Sequence, residues 1–254
     1  MGPTAPTDSR AQRPVRPIRP IGRPIVALLL AAGLLLFGAF HLSRSRTFQL
    51  FGTIVQRVDT ERRVVALTFD DGPTREYTDS VLATLRQHNV RGSFYLVGRD
   101  VQRNPDLVRR ILAEGHEVGN HSWSHERMLL KSPSWIRGEV ENTDRVLRAA
   151  GVTGPIHFRA PYCKKLVGLP WYLARTNRTH VTFDVEPETE ERVAASAQLI
   201  ADDVLQKVQP GSIILLHVMF RSREESRKAL PLIIPRLRAA GYDFVTVSEL
   251  LAMR

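Results

Sequence analysis

The sequence predicts an α/β fold on parallel strands, and three observations carry that prediction. From about Arg62 onward, short β-branched or apolar runs alternate with amphipathic stretches roughly seven times. No linker-like composition interrupts them, so one domain is the economical reading. With 43% of its 254 residues hydrophobic, the chain can bury one substantial core. Repeated strand, helix, strand means parallel pairing with helical crossovers, closed as a β/α barrel or open as a doubly wound sheet. Either arrangement gathers the polar C-terminal strand ends on one face.

The elements follow in chain order. Residues 1–24 include "RPVRPIRPIGRP", with Pro at about every third position and Arg between, which suits an extended basic arm and forbids a helix. Residues 25–42, "IVALLLAAGLLLFGAFHL", carry no formal charge and read as a transmembrane signal anchor. No small-x-small cleavage site follows, and five Arg precede the span against three soon after it. That bias places the N-terminus in the cytoplasm and the rest outside the membrane. Residues 43–61 are expected as a linker and 62–254 as the catalytic domain. Strands are expected at Val64 to Phe69, Gly92 to Leu96, Glu117 to Asn120, Ile156 to Arg159, His180 to Val185, Ser212 to Leu216 and Phe244 to Val247. Helices are expected at Thr78 to His88, Pro105 to Glu114, Pro133 to Ala150, Pro170 to Thr176, Glu191 to Lys207 and Arg223 to Ala240.

Composition excludes several classes. The net charge is +10, but residues 1–60 hold eight Arg against two Asp, a net +6, leaving +4 for the other 194 residues. The basicity sits in the tail, which argues against nucleic acid as the partner. Cys163 is the sole cysteine, so neither a disulfide framework nor a cysteine zinc site exists within one chain. No GxGxxG or GxxxxGK[ST] turn follows a candidate strand, so the nucleotide-binding fingerprints are missing. No obligate protein partner is evident.

The first strand ends anomalously. "VVALTFDDGPT" keeps charge out for six residues and then sets Asp70 beside Asp71. Gly72 and Pro73 explain a turn, but adjacent carboxylates repel unless a cation lies near them. Because a pleated strand alternates faces, Asp70 and Asp71 are expected to serve different partners. The cation is supplied by "NHSWSH": in a helix or tight turn, His121 and His125 fall on one side and can share an ion. One carboxylate of the pair completes an Asp-His-His set with open positions for water and substrate, and the other is placed to take a proton. Arg159 in "FRAPY" can hold that base, and His217, after four apolar residues, can serve as a general acid.

Together these stretches resemble the NodB-like polysaccharide deacetylases, the fourth carbohydrate esterase family. Five short motifs match in order over roughly Val64 to Leu251, of which "TFDDGP" and "NHSWSH" are the most specific. The resemblance implies a distorted β/α barrel and a divalent metal, zinc first, with cobalt, nickel or manganese as alternatives. It also implies removal of acetyl groups from an N-acetylated polysaccharide, and with the apolar span the expected enzyme is held at a bacterial cytoplasmic membrane, its catalytic domain periplasmic or extracellular. By position, Asp70 resembles the base, Asp71 with His121 and His125 the metal ligands, and Arg159 the tether of the base. Tyr162 matches the residue whose backbone N–H helps hold the oxyanion. Leu215 resembles the wall near the acetyl methyl, and His217 the acid. His116 falls just before the ligands and reads as structural. The fourth motif departs from the family, reading Phe183, Asp184, Val185, Glu186, Pro187, Glu188 without the usual tryptophans. Position makes Glu186 the partner of His217, with Asp184 as the fallback. The rival readings are a hydrolase of another non-peptide carbon–nitrogen bond, and an inactive glycan-binding relative.

Overall fold

The structure, a computed structural model, describes residues 22–254. The basic arm expected over residues 1–24 therefore lies outside the described residues except at its end. Contacts divide the chain after Gly38, and the unit beginning at Ala39 runs to Arg254. Helix α1 (Gly22–Arg44) is, among the described residues, the one helix long and apolar enough to cross a membrane. At 1.5 Å per residue its 23 residues extend about 34 Å, enough for a hydrocarbon core of about 30 Å.

The larger unit runs β1 (Ile54–Val55), β2 (Val64–Asp70), α2 (Thr78–Gln87), β3 (Ser93–Leu96), α3 (Gly98–Arg103), α4 (Pro105–Ala113), β4 (Glu117–Asn120) and α5 (Pro133–Ala149). It continues with α6 (Gly168–Arg175), β5 (His180–Val181), α7 (Glu191–Ala194), α8 (Ala197–Lys207), β6 (Ile213–His217), α9 (Glu224–Ala239), β7 (Asp243–Val245) and α10 (Val247–Leu251). All paired strands are parallel, in the order β4-β3-β2-β6, with β7 also on β2 and β1 paired to β5. Single bridges carry the ring further, from Asn120 to Phe158, from Phe158 to His180, and from Val185 to Ile214 on β6. This is the expected barrel, distorted because part of its wall is held by isolated bridges.

Period-two alternation explains how the sheet aims its side chains. On β2, Val65, Leu67 and Phe69 pack into the core shared with the helices, whereas Val64 and Ala66 join Tyr95, Ile213 and Leu215 in a second cluster. Continuing that second face places Thr68 and Asp70 inward, and the β2–β6 register sets Thr68 opposite Leu215 and Asp70 opposite His217. All seven residues of β2 are buried, as a parallel strand covered on both faces requires.

Helices α3 and α10 lie where no helix was expected, α10 taking Val247 from the expected last strand, and three other elements differ, each for a local reason. The strand expected at Ile156 to Arg159 reduces to bridges at Phe158, because the Arg159 carbonyl is taken by His121 Nδ1 at 2.8 Å and Pro161 then turns the chain. The strand expected at His180 to Val185 stops at Val181, where the Arg159 side chain takes the carbonyls of Val181 and Thr182 at 3.3 and 3.1 Å. The helix expected at Glu191 to Lys207 breaks at Ser196, which is extended at φ −148° and ψ 128°. Glu225 on α9 accepts from the freed Ala197 N–H at 2.9 Å, so the break has its own cap. Residues 43–61, expected as a linker, contain β1 and belong to the same unit as the barrel.

Candidate active site

Asp70 closes β2 and is buried. Its Oδ1 accepts from Arg159 Nη1 at 2.7 Å, and its Oδ2 lies 3.6 Å from His121 Nε2. Arg159 is fully buried, donates also to Thr68 Oγ1 at 2.9 Å, and stacks 4.0 Å over the Tyr95 ring. Burial works against ionisation of Asp70, but the charges of Arg159, His121 and His217 and the Arg159 hydrogen bond outweigh it, leaving its carboxyl below the ordinary range. The aspartate is thus buried yet held ionised.

Asp71 does not continue the pleat. It sits at φ 76°, followed by Gly72 at φ 70°, so alternation ends and both carboxylates line one cleft of about 520 Å³. The expectation that the strand sends them to opposite faces is corrected here. A Cβ on Gly72 would meet Met219 at 2.9 Å, so this turn needs glycine for space as well as conformation.

His121 and His125 lie on a turn rather than a helix, with Ser122 and His125 both at positive φ. Asn120 Oδ1 accepts from the Ser122 N–H at 2.8 Å, and Ser122 Oγ accepts from the His125 N–H at 3.0 Å. Glu139 of α5 reaches across and accepts from the N–H groups of Trp123 and Ser124 at 3.0 and 2.8 Å. Donation from His121 Nδ1 to the Arg159 carbonyl leaves Nε2 as the free lone pair, aimed at the aspartates. Asp71 Oδ1 lies 3.2 Å from His125 Nε2 and 4.0 Å from His121 Nε2, and is buried without a hydrogen-bond partner.

An orphaned carboxylate oxygen facing two imidazole nitrogens, all ligand atoms within 4.8 Å of one another, fits a divalent ion. Burial pushes the Asp71 carboxyl up, helped by Asp70 and Asp100 against the two histidines His121 and His217. Burial and the neighbouring His121 pull His125 down to about 4, although Asp70 opposes them.

His217 ends β6. Its Nδ1 is 2.6 Å from Glu188 Oε2, and its backbone N–H also donates to Glu188, at 3.0 Å to Oε2. Burial pulls this imidazole down, but Glu188, with help from Asp70 and Asp71, raises it to about 9. The expected partner Glu186 does not reach it. The Glu186 carboxylate pairs with Arg46 and accepts from Thr189 Oγ1 at 2.8 Å. The fallback Asp184 faces away, accepting from Ser212 Oγ at 2.7 Å and the Ile213 N–H at 2.8 Å. The turn Pro187–Thr189 reverses the chain and carries Glu188, two residues on, to the histidine.

The other expected residues gather at the same cleft. Leu215 and Tyr162 line it, and Tyr162, at φ 56°, sets its ring 4.8 Å from that of His125. Cys163 also lines it, but burial pushes its thiol up to about 11, so it is no nucleophile at neutral pH. His116 lies elsewhere, accepting from the Gly92 N–H at 3.1 Å and packing edge-on against Phe94. The site therefore unites Asp70, Asp71, His121, His125, Arg159, Tyr162, Leu215 and His217. Sequence reasoning missed Glu188 and Glu139, and the only signal for either was an acidic residue in a motif that departs from pattern or on a helix face.

A parallel barrel with an arginine-held carboxylate, a carboxylate-held imidazole and an Asp-His-His cluster at its strand ends defines an α/β hydrolytic enzyme. Comparison with known proteins makes the class specific. The family model described as polysaccharide deacetylase matches residues 57–181. A peptidoglycan-N-acetylglucosamine deacetylase of Bacillus cereus is 35% identical over 187 residues, which cover 73% of this chain and 67% of that protein. A second from that species is 33% identical over 202 residues, 79% of this chain and 93% of that protein. Against the Listeria monocytogenes enzyme of the same description the match covers only 40% of the relative's length. A peptidoglycan N-acetylglucosamine deacetylase crystallised with 4-naphthalen-1-yl-N-oxidanyl-benzamide superimposes with a TM-score of 0.73 at 33% identity, covering 77% of this chain and 91% of that one. A pseudoenzyme of the same family from Bacillus anthracis superimposes at 0.71 and 26% identity, covering 80% of this chain and 70% of that one. The chain belongs to the polysaccharide deacetylase family, whose deacetylases are metal-dependent hydrolases that remove N-acetyl groups.

Proposed function

We propose that this chain removes N-acetyl groups from an N-acetylated cell-envelope polymer, peptidoglycan first, releasing acetate and leaving a free amine. The observation that carries this reading is the opposition of Asp70, held ionised by Arg159, and His217, held protonated by Glu188, on paired positions of β2 and β6. Asp71, His121 and His125 would hold a divalent ion, zinc by the nature of the donor set, supplying Lewis acidity toward a carbonyl oxygen and a water.

Asp70 takes the proton of the attacking water, and Arg159 keeps its carboxylate oriented throughout. The Tyr162 backbone N–H donates to the carbonyl oxygen as that atom gains charge. His217 gives its Nε2 proton to the amide nitrogen as the C–N bond breaks, and Glu188 balances the imidazolium before that transfer. Leu215 offers apolar surface to the acetyl methyl. Helix α1 anchors the enzyme in the cytoplasmic membrane, with the barrel on the outer side.

Acetate release by the full chain in detergent, assayed on peptidoglycan, N-acetylglucosamine oligomers and other surface polysaccharides, tests the reading. No release from any of them overturns it. Asp70→Asn is expected to keep bound metal and lose roughly 10²- to 10⁴-fold in kcat, whereas His121→Ala loses the metal. Retention of most turnover by Asp70→Asn would show that the base is misassigned. Glycan binding without turnover is opposed by the presence of the whole set in one cleft.

A further inference from the structure

The catalytic cleft has a wall that the barrel does not supply. Arg44 and Arg46, from the segment directly after the apolar part of α1, line it together with Asp70, Asp71, His121 and His217. This segment is fastened to the barrel along its length. The Lys165 N–H donates to the Ser43 carbonyl at 3.1 Å, and Lys165 Nζ, itself buried, donates to the Ser45 carbonyl. Thr182 Oγ1 donates to the Arg46 carbonyl at 2.7 Å, and Gln49 Oε1 lies 2.8 Å from His180 Nδ1. Ser43 and Gln49 are buried, so residues 43–49 are a built part of the site.

The charges along this wall are unequal in their commitments. Arg159 answers Asp70, the Asp-His-His cluster is suited to a dication, and Arg46 is paired to Glu186 with its guanidinium 4.3 Å over the Phe183 ring. Arg223, also on the cleft, stands 4.0 Å from a Glu188 that His217 already occupies. Arg44 is exposed and, among the described residues, has no carboxylate within ion-pair distance. Its guanidinium rests 5.1 Å over the Phe40 ring. A planar, always charged fork that faces a substrate cleft without an acidic partner is suited to an incoming carboxylate.

We propose that Arg44, backed by Arg46, forms a subsite for a carboxylate carried by the sugar polymer, so that the preferred substrate is acidic, with a carboxylate-bearing sugar beside the N-acetyl group removed. This rests on the deacetylase reading and narrows its substrate class to glycan whose carboxylates are free, such as peptidoglycan strands without stem peptide. The probes are one oligomer of alternating N-acetylglucosamine and N-acetylmuramic acid with its lactyl carboxylates free, and the same oligomer as its methyl ester. The full chain in detergent is expected to prefer the free acid by about fivefold in kcat/KM, the size of one exposed ion pair. Arg44→Gln abolishes that preference and Arg44→Lys keeps part of it. Equal rates on acid and ester by the wild type, or a preference that survives in Arg44→Gln, overturns the subsite.

Calorimetric binding of both probes to chelator-treated protein separates the two proposals. If no acetate is released but the acid binds more tightly and Arg44→Gln removes the difference, the deacetylase reading fails and the subsite stands. Equal binding of acid and ester overturns the subsite whatever the turnover.

Discussion

Replacing Glu188 by glutamine removes the charge that holds His217 while keeping the shape and most of the hydrogen-bonding capacity of the side chain. In the native protein Glu188 raises the imidazole from 6.5 to about 9 against the opposing pull of burial. At about 1.36 kcal/mol per pH unit that interval corresponds to about 3 kcal/mol favouring the protonated form. Glu188→Gln removes its first two supports, the charged hydrogen bond and the Glu188 charge, leaving burial opposed only by the more distant Asp70 and Asp71. The alkaline limb of kcat/KM for acetate release should therefore move down by about two and a half pH units, back to about 6.5. At pH 7.5, where a group of pKa 6.5 is about one tenth protonated, the rate falls about tenfold. The measurement is a pH profile from 5.5 to 10, with Glu186→Gln beside it, because Glu186 pairs with Arg46 and makes no contact with His217. A limb that stays put in Glu188→Gln, or that moves in Glu186→Gln instead, refutes the assignment. Stability supplies a second reading. Because the folded value lies above the unfolded one, the contribution of the pair is fully present below pH 6.5 and is lost as pH rises through about 9. The gap in denaturation midpoint between wild type and Glu188→Gln should narrow across that window.

Arg159→Met should destabilise the fold by about 3–5 kcal/mol in denaturant titration, since it leaves Asp70 charged, buried and unpaired; a loss under 1 kcal/mol would refute that account. Glu139→Ala removes the acceptor of two backbone N–H groups in the ligand turn, and is expected to weaken metal affinity about 10- to 100-fold with Asp71, His121 and His125 intact. Unchanged affinity by competition with a chelator dye would overturn the supporting role. Stripping the metal should abolish acetate release, and returning it at 100 times its Kd should raise unfolding free energy by about 2.7 kcal/mol. Activity that survives metal removal would overturn the role of the cluster.

How much of this was legible before folding depends on what kind of element carried each residue. The strands and helices with clear period or caps were readable nearly to their ends, as at β2, β4 and α5, because one buried face imposes a pattern. Besides the short helices α3 and α10, which went unread, the elements misread were those where a side chain displaced the backbone ladder. Arg159 takes the carbonyls that would have extended two strands, and Glu225 caps a helix broken at Ser196. Nothing in local periodicity announces a competitor that lies 20 or more residues away in the chain.

The sequence by itself determined that Asp70, Asp71, His121, His125, Arg159 and His217 would converge, because each stands at the end of a strand-like run and parallel strands bring such ends to one face. Which carboxylate meets His217 was decided only by the tertiary structure. In the irregular stretch Phe183 to Thr189 no period fixes where a side chain points, and the turn Pro187–Thr189 aims Glu188 inward while Arg46 claims Glu186. The positive φ of Asp71 likewise turned two carboxylates of a pleated strand into one cleft. Residues 43–49 read as a linker because they lack pattern, and they became a wall of the site because Lys165, Thr182 and His180, more than a hundred residues later, hold them there.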